Sequence, residues 1–404
     1  MTGIGLQVDA LRLLFLVLFL LPDPLGGGGR TRRQWLGLGV CRLGLVVTAL
    51  AGSTWIALGG SALAALGLGC VAGQWRWGST LAPLLLLPVA LHGGFDGRPA
   101  PGQPLTPLPV ALVLCALGAA ILALDLPLLW RSVRSSPLVT ADPTPSLWPA
   151  ALYAVGAGLP LLISLVAGPW DALSRWVALA VGLALLGGAG GAAWRATTAA
   201  GALRALASYV LGLLILALGI GSAGAVGGAL LALASALVGS ALLSAGGSLR
   251  WVALAAFGLP PALGFTGLWL LLGATLVARF PLATLAVPGS ALLVAAALAR
   301  TLPGRAGLRP WTWLGACGLL LAGLLPGVVL DGALRPALNT LAVGLPALAD
   351  LHPAPGLGLL IVRGSATTAS WPAFGVAAAL LLTLAGAEAL ARLHGLFPHR
   401  RDDV

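Results

Sequence analysis

The sequence predicts an all-α integral membrane protein of about 13 transmembrane helices, within a range of roughly 11–14. Of its 404 residues, 59% are hydrophobic and only 8% are charged, and the mean hydropathy is +1.02. A soluble domain carries roughly 25% charged residues, so this chain cannot cover its surface with hydrated groups. Apolar runs near the length that crosses a bilayer follow one another along the chain. A cytosolic enzyme is therefore excluded.

Thirteen apolar runs account for the predicted helices, and the first and fourth are short. Glycine and alanine are frequent within them, and in a bilayer small residues such as Gly224 and Gly228 let helices approach closely. The stretch 337–362 fits either a loop or a lateral or re-entrant segment. The candidate spans are 9–22, 35–52, 54–72, 80–92, 106–129, 146–167, 175–192, 203–220, 223–246, 251–278, 281–300, 311–330 and 370–393.

The arginines give these spans an orientation, because cytoplasmic loops of membrane proteins are enriched in basic residues. With the N-terminus outside, alternation through the spans puts fifteen arginines on the cytoplasmic side and six on the other. Arg195 and Arg300 belong to the first group, and Arg175 and Arg279 to the second. The distribution predicts an N-out, C-in topology. The first apolar run lacks a basic leader, so we expect it to be a retained span.

The charged residues point to no soluble chemistry. All 22 basic residues are arginine, scattered between apolar runs, which does not fit a nucleic-acid surface. The four cysteines lie in apolar runs without metal spacing, and the four histidines lie in loops or at span ends. We therefore expect no catalytic residue, no metal and no cofactor.

Ionisable groups inside a bilayer are costly, which makes them the functional candidates. Arg42 lies in the second span, where it either snorkels or pairs with a partner subunit. Asp125, late in the fifth span, either carries a proton or caps a broken helix end. Glu388 in the last span is four residues before Arg392, a spacing typical of a local ion pair. These three side chains are the proton-path candidates.

Six short motifs resemble, in order, the antiporter-like membrane subunits of respiratory complex I, Mrp antiporters and membrane-bound hydrogenases. The clearest is 258–265, GLPPALGF, which is similar to the family's "GIPPLAGF" in its twelfth helix. The others are 8–15 with "VDGLSxxF", 127–130 and 143–146 with "PLHxWLPDA…PTPVSALLH", 204–209 with "KRLLAYSS", 235–239 with "HALFK" and 323–327 with "GLFPG".

The resemblance implies an antiporter-like bundle with broken helices, over residues 1–331. By the resemblance, residues 1–331 correspond to the family's helices three to fourteen, and the family's first two helices have no counterpart among them. Residues 332–369 are then a peripheral loop or lateral segment, and 370–404 an added helix with a short basic tail. It also implies a multi-pass subunit of the prokaryotic inner membrane, with lipids and paralogous and other membrane subunits as partners. The broken-helix positions are Pro127, Pro160, Pro260 and Pro261.

The family moves protons through intramembrane Lys, Glu and His residues, and this chain has no lysine. By the resemblance, the expected titratable residues are replaced near Ser61 or Ala62, near Leu122, near Gly156, and at Leu213, Gly239 and Leu268. We therefore expect a degenerate, mainly structural subunit with lost or reduced proton translocation. Two alternatives stay open, namely an active proton or cation translocator using Asp125, Arg42 and water, and an unrelated small-solute permease.

Overall fold

A computed structural model describes most of the first two helices and the long stretch that follows residue 171. The described residues are 10–20, 32–51, single positions between 56 and 67, 172–244, 262–301, 310–324, 326–329, 332, 334–339, 352–353, 361–363, 368–370 and 386. The predicted spans at 80–92, 106–129 and 146–167 lie outside these residues, as does nearly all of the span at 370–393.

The described residues are almost entirely helical. The helices are α1 (Ala10–Leu20), α2 (Arg32–Leu50), α3 (Ala172–Arg195), α4 (Ala199–Ile220), α5 (Ala223–Ser244), α6 (Leu263–Val277), α7 (Pro281–Thr301), α8 (Pro310–Leu324), α9 (Pro326–Val329) and α10 (Arg335–Asn339).

One segment departs from the all-α prediction. Three short strands, β1 (His352–Pro353), β2 (Ile361–Arg363) and β3 (Thr368–Ser370), form an antiparallel sheet in that order. His352 pairs with Arg363, and Arg363 pairs with Thr368. The sheet falls in the segment for which the sequence predicted only a loop or a lateral piece. Its strands are too short for hydrophobic periodicity to reveal them.

Tight turns join α3, α4 and α5 because the sequence supplies the capping residues. Thr198 precedes α4 and its hydroxyl accepts a hydrogen bond from the Gly201 N–H at 3.2 Å. Gly221 ends the helix in the left-handed conformation, with φ of 67°, which glycine adopts without a Cβ penalty. Ser222 then accepts a bond from the Ala225 N–H and so starts α5.

Contacts between helix ends show that α3 and α7 run in the same direction, while α4 runs in the opposite direction. The rings of Trp176 and Phe280 meet edge to face at 5.8 Å, so the start of α3 lies beside the start of α7. At the opposite end, Arg300 donates to the Ala193 carbonyl at 3.2 Å. Arg175 and Arg279 are thus at one end of the helices, with Arg195 and Arg300 at the other, while sidedness relative to a membrane stays a prediction.

The middle of the bundle is formed by α4 and α5, which are buried on nearly every side. Almost every described side chain from Tyr209 to Leu218 is buried, and so are most of those from Ala225 to Leu237. A helix that is apolar all round belongs inside a bundle or a membrane. Large apolar side chains on other helices face outward, among them Trp35, Leu36, Trp176, Leu282 and Leu285. The outer surface is therefore apolar as well.

Glycine lets α5 and α6 touch along what we call the α5–α6 seam, formed by Gly228, Leu231, Ala232, Gly267 and Leu270. A Cβ atom added at Gly228 would lie 2.5 Å from the Gly267 carbonyl oxygen, and one added at Gly267 would lie 2.8 Å from the Ala232 nitrogen. Both positions therefore require a residue without a side chain. Of the two glycines that the sequence suggested for such an approach, Gly228 lies at the seam and Gly224 faces open space.

The same close approach joins two other helix pairs. A Cβ at Gly182 of α3 would meet the backbone nitrogen of Leu216 in α4 at 2.7 Å, and one at Gly219 would meet that of Leu179 at 2.8 Å. Gly60, in the helical residues after α2, would meet the Thr48 hydroxyl at 2.5 Å. Small residues bring these backbones together as they do in membrane helices.

Two described helices, Arg175–Arg195 and Pro281–Thr301, are long and apolar enough to cross a bilayer by length and composition. Each has 21 residues, and five further apolar helices within the described residues have 10–17. The total of about 13 transmembrane helices and their topology remain predictions.

Replacing Gly228 by alanine will destabilise the bundle, since the new methyl group overlaps the Gly267 carbonyl. Forcing an extra methyl into a close contact costs about 1–3 kcal/mol. The measurement is the apparent Tm of the detergent-purified chain. Gly224→Ala is the matched control, because it adds the same group to the same helix in open space. Equal Tm values for the two variants would contradict the seam.

Candidate functional site

The structure tests little of the predicted proton path directly. Arg42 lies half-buried on α2, next to the buried Cys41. The remaining predicted site residues, Asp125, Glu388, Pro127, Pro160, Pro260 and Pro261, lie outside the described residues. Directly after the proline pair, Ala262 adopts an extended conformation and α6 begins at Leu263.

Four positions that the resemblance aligns with titratable residues of the family are described, namely Ala62, which is half-buried, and three positions in α4 to α6. Leu213 lies in α4 with none of its surface exposed, and Gly239 is buried in α5. Leu268 of α6 packs against the core. Apolar residues at these three positions are surrounded by other apolar groups, so the protein packs the space that a charged residue would need.

The lack of titratable side chains extends well beyond these positions. The sequence from Ala172 to Leu330 contains no Asp, Glu, His or Lys, so α3 to α8 carry none of the side chains that exchange protons near neutral pH. Burial alone does not explain this, because functional membrane helices keep such residues despite their cost.

Hydroxyl groups are the main polar side chains inside the bundle. The Thr275 hydroxyl donates to the Leu272 carbonyl at 2.8 Å within α6. At the start of α7, the Thr284 hydroxyl lies 3.2 Å from the Thr275 hydroxyl and 3.0 Å from the Phe280 carbonyl. A pair of threonines therefore links α6 to α7 without any charge.

Two further hydroxyls lie next to Pro288, a proline inside α7. Pro288 has no N–H to donate to the preceding turn. The buried Tyr209 of α4 donates to the Val287 carbonyl at 3.4 Å, and the Ser290 hydroxyl lies 3.2 Å from the same oxygen. The Ser290 hydroxyl also contacts the Ala286 carbonyl. Hydroxyls around a proline are a normal way to satisfy backbone groups inside a bilayer.

The sequence analysis did not identify this arrangement, although its components were visible. Tyr209 was part of the motif at 204–209 and Pro288 was inside a predicted span. A proline in a span predicts a freed carbonyl four residues earlier, here that of Thr284, whereas Tyr209 binds the Val287 carbonyl, a contact that only the fold shows.

Arg300 closes one end of α3. Its guanidinium donates to the carbonyls of Ala193 and Trp194 at 3.2 and 3.4 Å, across about a hundred residues of sequence. The Ala193 carbonyl also accepts from the Ala196 N–H at 3.2 Å, and a cation at the last carbonyls of a helix interacts favourably with the helix dipole. Arg300 is thus a structural residue.

Two further hydroxyls are buried without a hydrogen-bond partner among the described residues. Ser235 of α5 has none of its surface exposed, and Thr266 of α6 has 6% exposed. Both belong to helices that meet at the α5–α6 seam. Ser235 occupies the first position of the motif at 235–239, where the family has histidine.

No other chemistry is visible in the described part of the chain. It contains no group of three or more His, Cys, Asp or Glu side chains that could hold a metal ion. Its two cysteines, Cys41 and Cys317, are free thiols on different helices.

The fold is similar to solved chains of three membrane complexes. A chain of respiratory complex I from Thermus thermophilus, solved with bound aureothin, is 21% identical with a TM-score of 0.58, covering 81% of this chain and 87% of that one. A chain of the Mrp complex from Dietzia sp. DQ12-45-1b is 14% identical with a TM-score of 0.62. It matches 99% of this chain, which spans only 50% of the Mrp chain.

A third similar chain comes from the membrane-bound sulfane sulfur reductase, an archaeal respiratory membrane complex. It is 14% identical with a TM-score of 0.62, and the match covers 99% of this chain and 76% of that one. No protein-family model and no curated relative matches the sequence. The chain therefore has the fold found in complex I and Mrp assemblies, and the resemblance predicted from the six motifs is confirmed at the level of the fold.

Proposed function

We propose that the chain is a degenerate antiporter-like membrane subunit of a multi-subunit respiratory or hydrogenase-like complex. In this proposal it is a multi-pass protein of a prokaryotic cytoplasmic membrane, with about 13 spans as predicted from its apolar runs. Its partners are paralogous and other membrane subunits and lipids. It is not itself catalytic, and electron transfer belongs to other subunits.

The observation that carries the proposal is the absence of Asp, Glu, His and Lys from Ala172 to Leu330. A proton relay across an apolar core needs side chains that gain and lose protons, since a bare charge in that medium is prohibitively costly. The family's relay positions in this stretch are Leu213, Gly239 and Leu268. We infer that this part of the molecule retains the helical scaffold and has lost the family's route.

The packing supports a structural role. Glycine contacts hold α3 against α4 and α5 against α6. Large apolar side chains such as Trp35, Leu36 and Leu282 face outward. An apolar outer face suits a subunit that is enclosed by lipid and by neighbouring membrane subunits, bridging or extending a membrane arm.

A second candidate is an active proton or cation translocator that uses Asp125, Arg42 and ordered water. The half-buried position of Arg42 in α2 is the observation in its favour, because a cation inside a span usually has a task or a partner. The small-solute permease is less well supported, because it required the motif matches to be accidental and the fold is shared with respiratory and Mrp complexes.

Affinity purification from native membranes tests the subunit assignment. With a tag on the chain and a mild detergent, we expect mass spectrometry to find antiporter-like membrane subunits and redox subunits in one particle of constant composition. Isolation of the chain as a single-protein particle would contradict the assignment and favour the permease.

Proton flux tests the loss of translocation. In liposomes under an imposed membrane potential, we expect the purified chain to take up protons no faster than protein-free liposomes, because the described core lacks titratable groups. Asp125→Asn should leave this baseline unchanged. Robust uptake that falls on Asp125→Asn, but not on the control Asp171→Asn, would instead establish the translocator.

A further inference from the structure

The start of α6 is buried inside the bundle and lacks a side-chain cap. Ala262, in the capping position, has no side-chain acceptor, and both Ala262 and Leu263 are buried. An α-helix leaves its first N–H groups without an acceptor inside the helix. Here the Phe265 N–H turns back to the Ala262 carbonyl at 3.0 Å, which leaves the N–H groups of Leu263 and Gly264 in need of an acceptor.

The contacts at the α5–α6 seam place this helix start opposite the middle of α5. A Cβ at Gly228 would contact Leu270, and a Cβ at Gly267 would contact Leu231, each at 3.1 Å. The two helices are therefore antiparallel, and this register sets Ser235 level with Gly264. Gly264 carries no side chain at this level.

The two unpartnered hydroxyls flank the same point. Ser235 is one turn after Leu231 on α5, and Thr266 is one turn before Leu270 on α6. When α5 and α6 are aligned by the contacts of the seam, Ser235 and Thr266 are offset by two residues, which is about 3 Å along the helix axis. Each hydroxyl is more than nine-tenths buried, and neither has a hydrogen-bond partner among the described residues.

Burying a polar group without a partner is costly, and proteins normally avoid this with an internal water. We propose that Ser235, Thr266 and the first-turn N–H groups of α6 bind ordered water at the α5–α6 seam. Water suits these groups because its oxygen accepts from the N–H groups while its hydrogens bond to the hydroxyl oxygens. An anion suits them less, since α5 and α6 contain no charged residue to balance it.

This site does not depend on the function proposed above, because it requires neither a partner subunit nor a loss of proton flux. It binds neutral water between two helices that have no Asp, Glu, His or Lys. Ordered water at this position supplies a hydrogen-bond acceptor for the first-turn N–H groups of α6 inside the bundle.

X-ray radiolytic labelling in ¹⁸O water on the whole chain in lipid nanodiscs tests the site, because bound water oxidises the side chains next to it. We expect labelling of Leu231 and Leu263 despite their burial, well above that of the buried leucines 211–218 in α4. In Ser235→Ala/Thr266→Val this labelling should fall several-fold.

Thr275→Val is the matched control for this experiment. It removes a buried threonine hydroxyl from the same helix, but one that already donates to the Leu272 carbonyl. Labelling of Leu231 and Leu263 should be unchanged in it. Labelling at the level of the α4 leucines in the unmodified chain, or a signal that survives the double substitution, would overturn the proposal.

A second measurement needs no substitution and so is independent of whether the double variant folds. A cryo-EM map of the unmodified chain that resolves ordered water should show density within hydrogen-bonding distance of both hydroxyl oxygens. Absence of that density, or a direct bond from either hydroxyl to a protein group, would equally overturn the proposal.

Discussion

Close contact between helix backbones is the constraint on which the rest of this structure depends. Within an apolar solvent, helices gain nothing from hiding apolar surface, so they associate through van der Waals contact and the few polar bonds available. Gly228 and Gly267 provide that contact between α5 and α6, and Gly182 and Gly219 provide it between α3 and α4. Small residues at these points are therefore required by the geometry of the bundle.

The hydrogen bonds that tie α4, α6 and α7 together internally are made by hydroxyls, and Arg300 binds the end of α3. A hydroxyl can bond to a carbonyl of its own helix, as Thr275 does, or to a carbonyl beside a proline, as Tyr209 does. Such groups tie helices together at little cost in solvation. They exchange no protons near neutral pH.

The sequence predicted the helical class, most helix positions and the likeness to antiporter-like subunits, because hydropathy and short motifs are local signals. That Leu213, Gly239 and Leu268 replace titratable residues follows from the resemblance and stays a prediction. The sequence did not predict the sheet at 352–370, whose strands have two or three residues. Nor did it find the Tyr209 bond at Pro288, which joins α4 to α7 across 78 residues. Contacts between distant segments leave no periodic trace, and this is why the sequence could not name Gly267 as the partner of Gly228.

The central claim is that the bundle core is apolar and closely packed at Leu213, one of the positions where the family's relay would carry charge. The most direct measurement is the apparent Tm of Leu213→Lys, with Leu213→Met as the control of similar volume. An unpaired ammonium at this fully buried position costs several kcal/mol, so Leu213→Lys should lose most of its thermal stability while Leu213→Met stays near the unmodified chain. A Leu213→Lys protein as stable as the control, with a lysine that titrates normally, would mean that water reaches this position, which would contradict the account.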